Sequence, residues 1–305
     1  MLTTNINQRH RDVLQPNTRE REIMIVLSLF DGLSAGRLAL ERAGIEVENY
    51  YASEIDKYAV TVSKKNWPDI IPIGDVTQVS YKDGVLHTQF GSYETDIDMV
   101  IGGSPCQSFS VAGNQEGFDG KSGLFYEWLR ILREVNPKYF LLENVCMKKE
   151  WENEITQEVG VAPIMINSAL VSAQNRKRLY WTNIEGVAQP IDKGILLKDI
   201  LENFTFDREP YYIVFNSNRP KNYKSDKSMC LVTSGGSKTK GVGICDDSGM
   251  WRKLTPIECE RLQTLPDNYT DGVSNSQRYK MIGNGWTVDV IAHIFSFNKG
   301  NKCLI

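Results

Sequence analysis

Short apolar runs separated by turn residues dominate the first half of the chain. Residues 23–30 (Ile-Met-Ile-Val-Leu-Ser-Leu-Phe) form a nearly continuous apolar run, which predicts a buried parallel strand. Asp31-Gly32-Leu33-Ser34-Ala35-Gly36 reads as a tight turn, 37–43 as a helix, and Gly44 as its stop. Residues 47–53 predict a second strand, 58–66 a second helix and 70–73 a third strand. A fourth strand at 99–101 runs into Gly102-Gly103-Ser104-Pro105-Cys106. Residues 124–134 predict a helix with Leu124, Trp128, Leu129, Ile131 and Leu132 on or near one face. A fifth strand at 139–142 ends at Glu143-Asn144, and strand-like segments follow at 164–169 and 178–181. This alternation predicts an α/β fold built on a doubly wound, mostly parallel sheet.

The pattern changes after Asn183. Segment 184–250 is rich in Gly, Ser, Asn and Lys, with short strand candidates at 211–215 and 229–233, and predicts a small irregular module. Helical patterning returns with Thr255-Pro256-Ile257-Glu258, a helix start with proline at an early position. A final helix at 288–295 follows Gly283-Asn284-Gly285. The expected organisation is an arm at 1–22, a body at 23–183 and 251–298, the module at 184–250 and a tail at 299–305.

Composition adds little to this picture. Hydrophobic residues make up 41% and charged residues 24% of 305 positions, ordinary values for a globular chain. Nothing approaches a membrane span or a secretory signal, so a cytoplasmic protein is expected. None of the six cysteines pairs as Cys-x-x-Cys, so no metal site is expected. Charge changes the picture locally. The chain carries −3 overall, yet residues 208–253 hold nine lysines and arginines against four acids. A basic module on an acidic body is suited to a phosphate backbone.

Ligands of doubly wound sheets bind beyond the carboxyl ends of the strands. Phe30-Asp31-Gly32, Glu54, Asp75 and Cys106 all fall at such ends. Gly32 and Gly36 let backbone approach a ligand. Glu54 lies 22 residues beyond Gly32, near the spacing of an acid that binds a ribose. Asp75 is placed to accept from an adenine amino group. Cys106 sits in a glycine-rich loop after a strand, where exposure and a nearby helix start favour its thiolate.

These motifs together resemble the DNA (cytosine-5) methyltransferase family over about residues 23–297. Phe30 to Gly36 is similar to the family's first cofactor motif, and Glu54 and Asp75-Val76 to the next two. Pro105-Cys106-Gln107 resembles the nucleophile motif and Glu143-Asn144-Val145 the acid motif. Gln174-Asn175-Arg176-Lys177-Arg178 resembles the Q-x-R-x-R motif. Residues 254–265 resemble the helix that packs the target-recognition module, and Gly283 to Val288 the last cofactor motif. Ser34-Ala35 and Trp286 look like the catalytic domain of animal de novo enzymes. Pro105-Cys106-Gln107 and Gly283-Asn284-Gly285 look bacterial or viral, which points to a prokaryotic or phage enzyme.

The resemblance implies a Rossmann-like fold that uses S-adenosylmethionine and leaves S-adenosylhomocysteine. It implies cofactor contacts from Phe30, Asp31, Gly32, Leu33, Ser34, Ala35, Glu54, Asp75, Val76, Asn284, Gly285 and Trp286. Cys106 is the implied nucleophile toward carbon 6 of a flipped-out cytosine, with Glu143 at ring nitrogen 3. Arg176 and Arg178 are expected on opposite faces of a strand, Arg178 toward the base and Arg176 in a supporting contact. Residues 107–121, with three glycines, suit a closing loop. Duplex DNA is the expected partner, met by Gln107, Ser108, Asn216, Arg219, Lys221, Lys224 and Lys238. A companion restriction endonuclease is a further candidate partner. Two alternatives stand beside this reading: a tRNA methyltransferase of the same family, and an inactive DNA-binding paralogue.

Overall fold

A computed structural model describes residues 23–105, 123–202, 211–216, 219–222, 225–233, 240–245 and 251–298, with backbone alone for 211–216, 219–222, 240–242 and 251. The expected arm at 1–22 and tail at 299–305 lie outside these residues.

In chain order the first half contains β1 (Ile23–Leu29), α1 (Ala35–Arg42), β2 (Glu46–Ser53), α2 (Lys57–Asn66) and β3 (Ile71–Pro72). A small antiparallel sheet follows: β4 (Ser80–Lys82), β5 (Val85–Thr88) and β6 (Gly91–Glu94). Next come β7 (Met99–Gly102), α3 (Leu124–Val135), β8 (Tyr139–Val145), α4 (Lys149–Val159), β9 (Ile164–Asn167), β10 (Gln174–Asn175) and β11 (Lys177–Thr182). The second half adds α5 (Leu197–Ile200), β12 (Tyr211–Asn216), β13 (Arg219–Asn222), β14 (Ser228–Met229), β15 (Lys240–Cys245) and β16 (Trp251–Lys253). It ends with α6 (Pro256–Leu262), α7 (Asn275–Asn284) and α8 (Val288–Phe295).

The main sheet runs β3-β2-β1-β7-β8-β11-β9. Its pairings are parallel except that β11 is antiparallel to both β8 and β9. That one reversal positions the site. It brings the amino end of β11 to the edge where β1, β2, β3, β7 and β8 present their carboxyl ends.

Both faces of this sheet are covered, which is why β1 is apolar at every position but Ser28. Met24 and Val26 pack in one cluster with Leu38, Val62 and Ile291 of α1, α2 and α8. Leu27 and Leu29 pack on the other face with Phe125, Trp128 and Ile131 of α3. Burying side chains of this size contributes roughly 1.5–3 kcal/mol each before entropy is subtracted.

The module is more regular than its composition suggests. A four-stranded antiparallel sheet runs β13-β12-β15-β16. Its neighbouring segment leaves that sheet, and β14 pairs in parallel with β10 of the body. A third cluster, including Leu197, Leu231, Ile244, Leu254, Leu262 and Ile282, welds module to body. Helix α6 begins at the expected Thr255-Pro256 start, with a capping box between Thr255 and Glu258. Glu258 is fully buried and also receives both Arg252 amino groups, at 2.7 and 2.6 Å, from β16.

Candidate active site

The loop after β1 is wound tightly. Phe30, Gly32 and Ser34 all take positive φ, at 57°, 62° and 60°. Two of these are non-glycine residues in a left-handed conformation, which persists only when the surroundings over-determine it. Asp31 supplies that constraint. Its carboxylate accepts from Ser28 Oγ at 2.7 Å, Tyr50 Oη at 2.7 Å and Ser34 Oγ. Burial pushes the Asp31 carboxyl up to about 6, against the lowering effect of those hydroxyls. Leu33, Ser34 and Ala35 are buried, so what this stretch presents outward is largely backbone.

Glu54, at the end of β2, accepts from the Gly32 N–H at 2.8 Å and from the Ile55 and Asp56 N–H groups at 2.8 and 2.7 Å. Ile55 beside it is 76% exposed, an apolar surface next to an acid. Asp75 accepts from Thr77 at the start of a short 3₁₀ turn that contains buried Val76. Its own N–H donates to Gln89 Oε1 at 3.1 Å, so the β5–β6 turn is tied to this edge. Neither Ile55 nor Gln89 was legible in the sequence at this edge, because the fold alone brings them there.

S-adenosylmethionine fits this edge. Bare loop backbone suits a charged amino acid, the Glu54 carboxylate suits ribose hydroxyls, and exposed Ile55 suits a flat base. Gly36 completes the cradle's floor. A Cβ there would fall 2.6 Å from Ile101 Cδ1, 2.9 Å from Tyr50 Oη and 3.4 Å from Trp286 Cζ3.

Two strands away, Glu143 lies near the end of β8, directly opposite Tyr180 of β11. Arg178 Nε meets Glu143 Oε1 at 3.0 Å, and the Trp286 indole N–H donates to Glu143 Oε2 at 3.0 Å. Both oxygens of a nearly buried carboxylate are thus held. Gly103 closes the third side. A Cβ at Gly103 would fall 2.9 Å from Glu143 Oε2 and 3.0 Å from Trp286 Nε1. Asn144 Nδ2 donates to Ser104 Oγ at 3.2 Å, fixing the segment that ends the described chain at Pro105. Cys106, Gln107, Ser108 and the rest of the expected closing loop lie outside the described residues.

The expectation that Arg176 and Arg178 face opposite ways is wrong. Residues two apart on an extended chain share a face. Both guanidinium groups meet the Cys230 sulfur, at 3.2 and 3.5 Å. Arg178 reaches Glu143. Arg176, 3% exposed, donates instead to the carbonyls of Gly283 at 3.3 Å and Gly285 at 2.9 Å. Gln174 and Gln263 extend this lattice. Gln174 accepts from the Leu231 N–H at 2.9 Å, and Gln263 donates to Ile282 and Gly285 carbonyls at 2.8 and 3.0 Å. Asn284 remains exposed at the end of α7.

Of the DNA-contact candidates, Asn216 ends β12, and Arg219 and Lys221 lie on β13, all by backbone position alone. Lys224 and Lys238 lie outside the described residues. The local basic excess is partly spent inside the protein. Arg252 pairs with Glu258, and Lys227 donates to the Ala169 and Ser172 carbonyls at 2.5 and 3.3 Å.

Acidic and glycine-bearing loops at the carboxyl edge and a held carboxylate sit side by side on a largely parallel sheet, an arrangement suited to an S-adenosylmethionine-dependent α/β methyltransferase. The chain belongs to the C-5 cytosine-specific DNA methylase family, whose pattern matches residues 24–189 and 200–297. Type II methyltransferase M.HhaI of Haemophilus parahaemolyticus is 30% identical over 90% of this chain and 94% of its own length. Orphan methyltransferase M.SPRI of Bacillus phage SPR is 37% identical over 52% of this chain and 37% of its own. The fold is shared with the Entamoeba histolytica methyltransferase EhMeth at a TM-score of 0.71 and 18% identity, covering 90% of this chain and 98% of that one. It is shared also with S. pombe Dnmt2 at 0.64 and 18%, covering 90% and 97%. The protein is accordingly a DNA (cytosine-5) methyltransferase. Among the described residues, no helix is long and apolar enough to cross a membrane.

Proposed function

We propose that Cys106 attacks carbon 6 of a cytosine flipped out of duplex DNA, and that Glu143 and Arg178 hold the base. The observation that carries this reading is the clamp on Glu143 by Arg178, Trp286 and Gly103, three residues before Cys106 in the chain.

The cysteine's task is electronic. Carbon 5 of cytosine is a weak nucleophile. A new bond from the Cys106 sulfur to carbon 6 breaks ring aromaticity and moves an electron pair toward carbon 5 and nitrogen 3. An unperturbed thiol near pKa 8.5 is only a few per cent thiolate at neutral pH, so the site must favour ionisation. Glu143 answers the developing charge at nitrogen 3 by donating a hydrogen bond, which requires it to carry a proton. Both its oxygens accept, from Arg178 and Trp286, so one of these two partners yields as the base enters. Arg178 stays beside the base as a fixed positive charge. S-adenosylmethionine supplies an electrophilic sulfonium methyl group, and Phe30, Asp31, Gly32, Leu33, Ser34, Ala35, Glu54, Asp75, Val76, Asn284, Gly285 and Trp286 would hold it. Loss of the carbon 5 proton afterwards returns the electron pair to the ring and expels the Cys106 thiolate.

The base must leave the stack for this chemistry, at a few kcal/mol. The module at 184–250 would read the site, with Asn216 and Arg219 suited to base edges and Lys221, Lys224 and Lys238 to phosphates. Gln107 and Ser108, next to the nucleophile in the chain, would contact the DNA. The relatives named Type II methyltransferases support a companion restriction endonuclease in a bacterial or phage-infected cytoplasm.

The test is to incubate the protein with S-adenosylmethionine and mixed-sequence duplex DNA and map 5-methylcytosine at base resolution. Methylation in a short motif, lost in Cys106→Ala, is the expected result. No methylation of duplex DNA, or full activity in the variant, overturns the reading.

A further inference from the structure

Two arginines lie side by side in the pocket, and one carboxylate faces them. Among the described residues, Glu143 is the one acid paired with either guanidinium. Like charges this close repel in a site shielded from water. The group seated between them is the Cys230 sulfur, 3.2 Å from Arg176 Nη1 and 3.5 Å from Arg178 Nη2.

We propose that Cys230 is a positioning residue of the methylation pocket. Its sulfur is the shared acceptor that holds Arg176 and Arg178 together and aims Arg178 at Glu143. This rests on the reading of Glu143 and Arg178 as the pair that holds the base.

Three anchors fix the sulfur. The preceding β14 pairs with β10, which ends at the residue before Arg176. The Leu231 N–H donates to Gln174 Oε1 at 2.9 Å. The Val232–Thr233 backbone lies against Gly283, where a Cβ would fall 2.8–2.9 Å from it. Cys230 cannot withdraw without disturbing the body, so it acts as a fixed post between the two guanidinium groups. Arg178 Nε is held by Glu143 and Nη1 by the Lys177 carbonyl at 2.8 Å; the Cys230 sulfur holds Nη2, so each guanidinium nitrogen has a fixed partner.

The surroundings also favour a sulfur anion. Burial raises the Cys230 thiol, but the guanidiniums of Arg176 and Arg178 outweigh it and draw the group below its ordinary value. The charged groups around it are Arg176 and Arg178 from the β10–β11 stretch and, beyond Arg178, Glu143 from β8. Lys227 on its own segment is turned to the carbonyls of Ala169 and Ser172. A negative sulfur would balance the second arginine, leaving the three-sided cluster close to neutral.

Two measurements test this on the whole chain. The first compares wild type with Cys230→Ala and Cys230→Ser for kcat, KM for DNA and the pH dependence of kcat, with thermal unfolding as a check of folding. The alanine variant should lose about tenfold or more in kcat with KM changed far less, the scale expected when a catalytic group shifts by a fraction of an ångström. The serine variant should recover much of that loss, since its oxygen can accept the same two bonds. It should also show a changed acidic limb in the pH profile, since serine does not ionise. A folded alanine variant with wild-type kcat and pH profile overturns the proposal.

The second measurement needs no variant. Iodoacetamide labelling of wild type is followed cysteine by cysteine across pH by peptide mass spectrometry. Exposed Cys146, whose thiol is pushed up by burial of part of its surface, serves as the internal comparator. Cys230 should reach half-maximal labelling at a lower pH than Cys146, and a midpoint at or above it overturns the proposal. If wild type methylates no DNA, it is the underlying reading that fails. If wild type methylates and either Cys230 result is negative, the proposal alone fails.

Discussion

Trp286 donates its indole N–H to Glu143 Oε2 at 3.0 Å, across 143 positions of sequence. The last motif of the chain therefore holds the carboxyl group that the fifth strand of the main sheet delivers. The same indole lies 3.4 Å from where a Cβ on Gly36 would stand. One ring thus touches the wall of the cofactor edge and the acid of the base pocket. Trp286→Phe keeps most of the ring and removes the donor. Leaving a buried acceptor without its partner costs about 1–3 kcal/mol. The single-turnover methylation rate should fall about tenfold or more, while cofactor affinity measured by calorimetry changes little. An unchanged rate would show that this hydrogen bond has no part in the chemistry.

Gly103→Ala tests the third side of the same clamp. The added methyl would crowd Glu143 Oε2 and Trp286 Nε1, both polar ends held by other bonds. Activity should drop by about two orders of magnitude, the scale of an ångström-sized misplacement. The circular dichroism spectrum and melting temperature should move only modestly. Wild-type activity in this variant would mean that Glu143 is not confined as described.

The two arginines should separate by phenotype. Arg178→Ala leaves Glu143 with the indole alone and should abolish detectable methylation while the protein stays folded. Arg176→Ala removes the donors to Gly283 and Gly285 and loosens the tie between the β10–β11 stretch and the end of α7. It should lower unfolding stability by about 2–4 kcal/mol, from the loss of charge-assisted buried bonds. Urea titration of both variants reads the difference. Equal destabilisation by the two would contradict the division of labour.

Asp31 makes a pH prediction. Burial lifts its carboxyl to about 6 in the folded protein from an ordinary value of 3.8. Between these values the folded state holds a proton that the unfolded state has released. Its stabilising contribution is therefore present below about 3.8 and is lost as pH rises through about 6. Relative to Asp31→Asn, which has no such proton, wild type should gain on the order of 1–3 kcal/mol between pH 7 and pH 4.5. Urea denaturation of both at several pH values measures it. A difference that stays flat across this range would refute the shift.

Much of the fold was legible because its signals are local. The run at β1, the helix spacing in α3 and the capping box of α6 depend on residues within a turn or two. Helices α4 and α7 escaped because their apolar faces are thin: α4 buries Ile155 alone, and α7 buries Arg278 among its few inward residues. The module was expected to be irregular from its glycine and lysine content, yet β12 and β15 pair over six residues each. Their partners are brought together by sequence separations that no local pattern records.

By itself the sequence determined the alternation of strands and helices, the order of the motifs and the residue types available for chemistry. Periodicity, turn residues and covalent order are properties of neighbouring positions, so they survive without the fold. Only the tertiary structure decided that β11 runs antiparallel, which swings the amino end carrying Arg178 to the carboxyl end of β8 and Glu143. Only the tertiary structure set Cys230 between two arginines and placed Trp286 on the acid. Such contacts join residues tens to more than a hundred positions apart. They exist because chain reversal and burial bring those positions together, and nothing in the spacing of the residues along the chain encodes that distance.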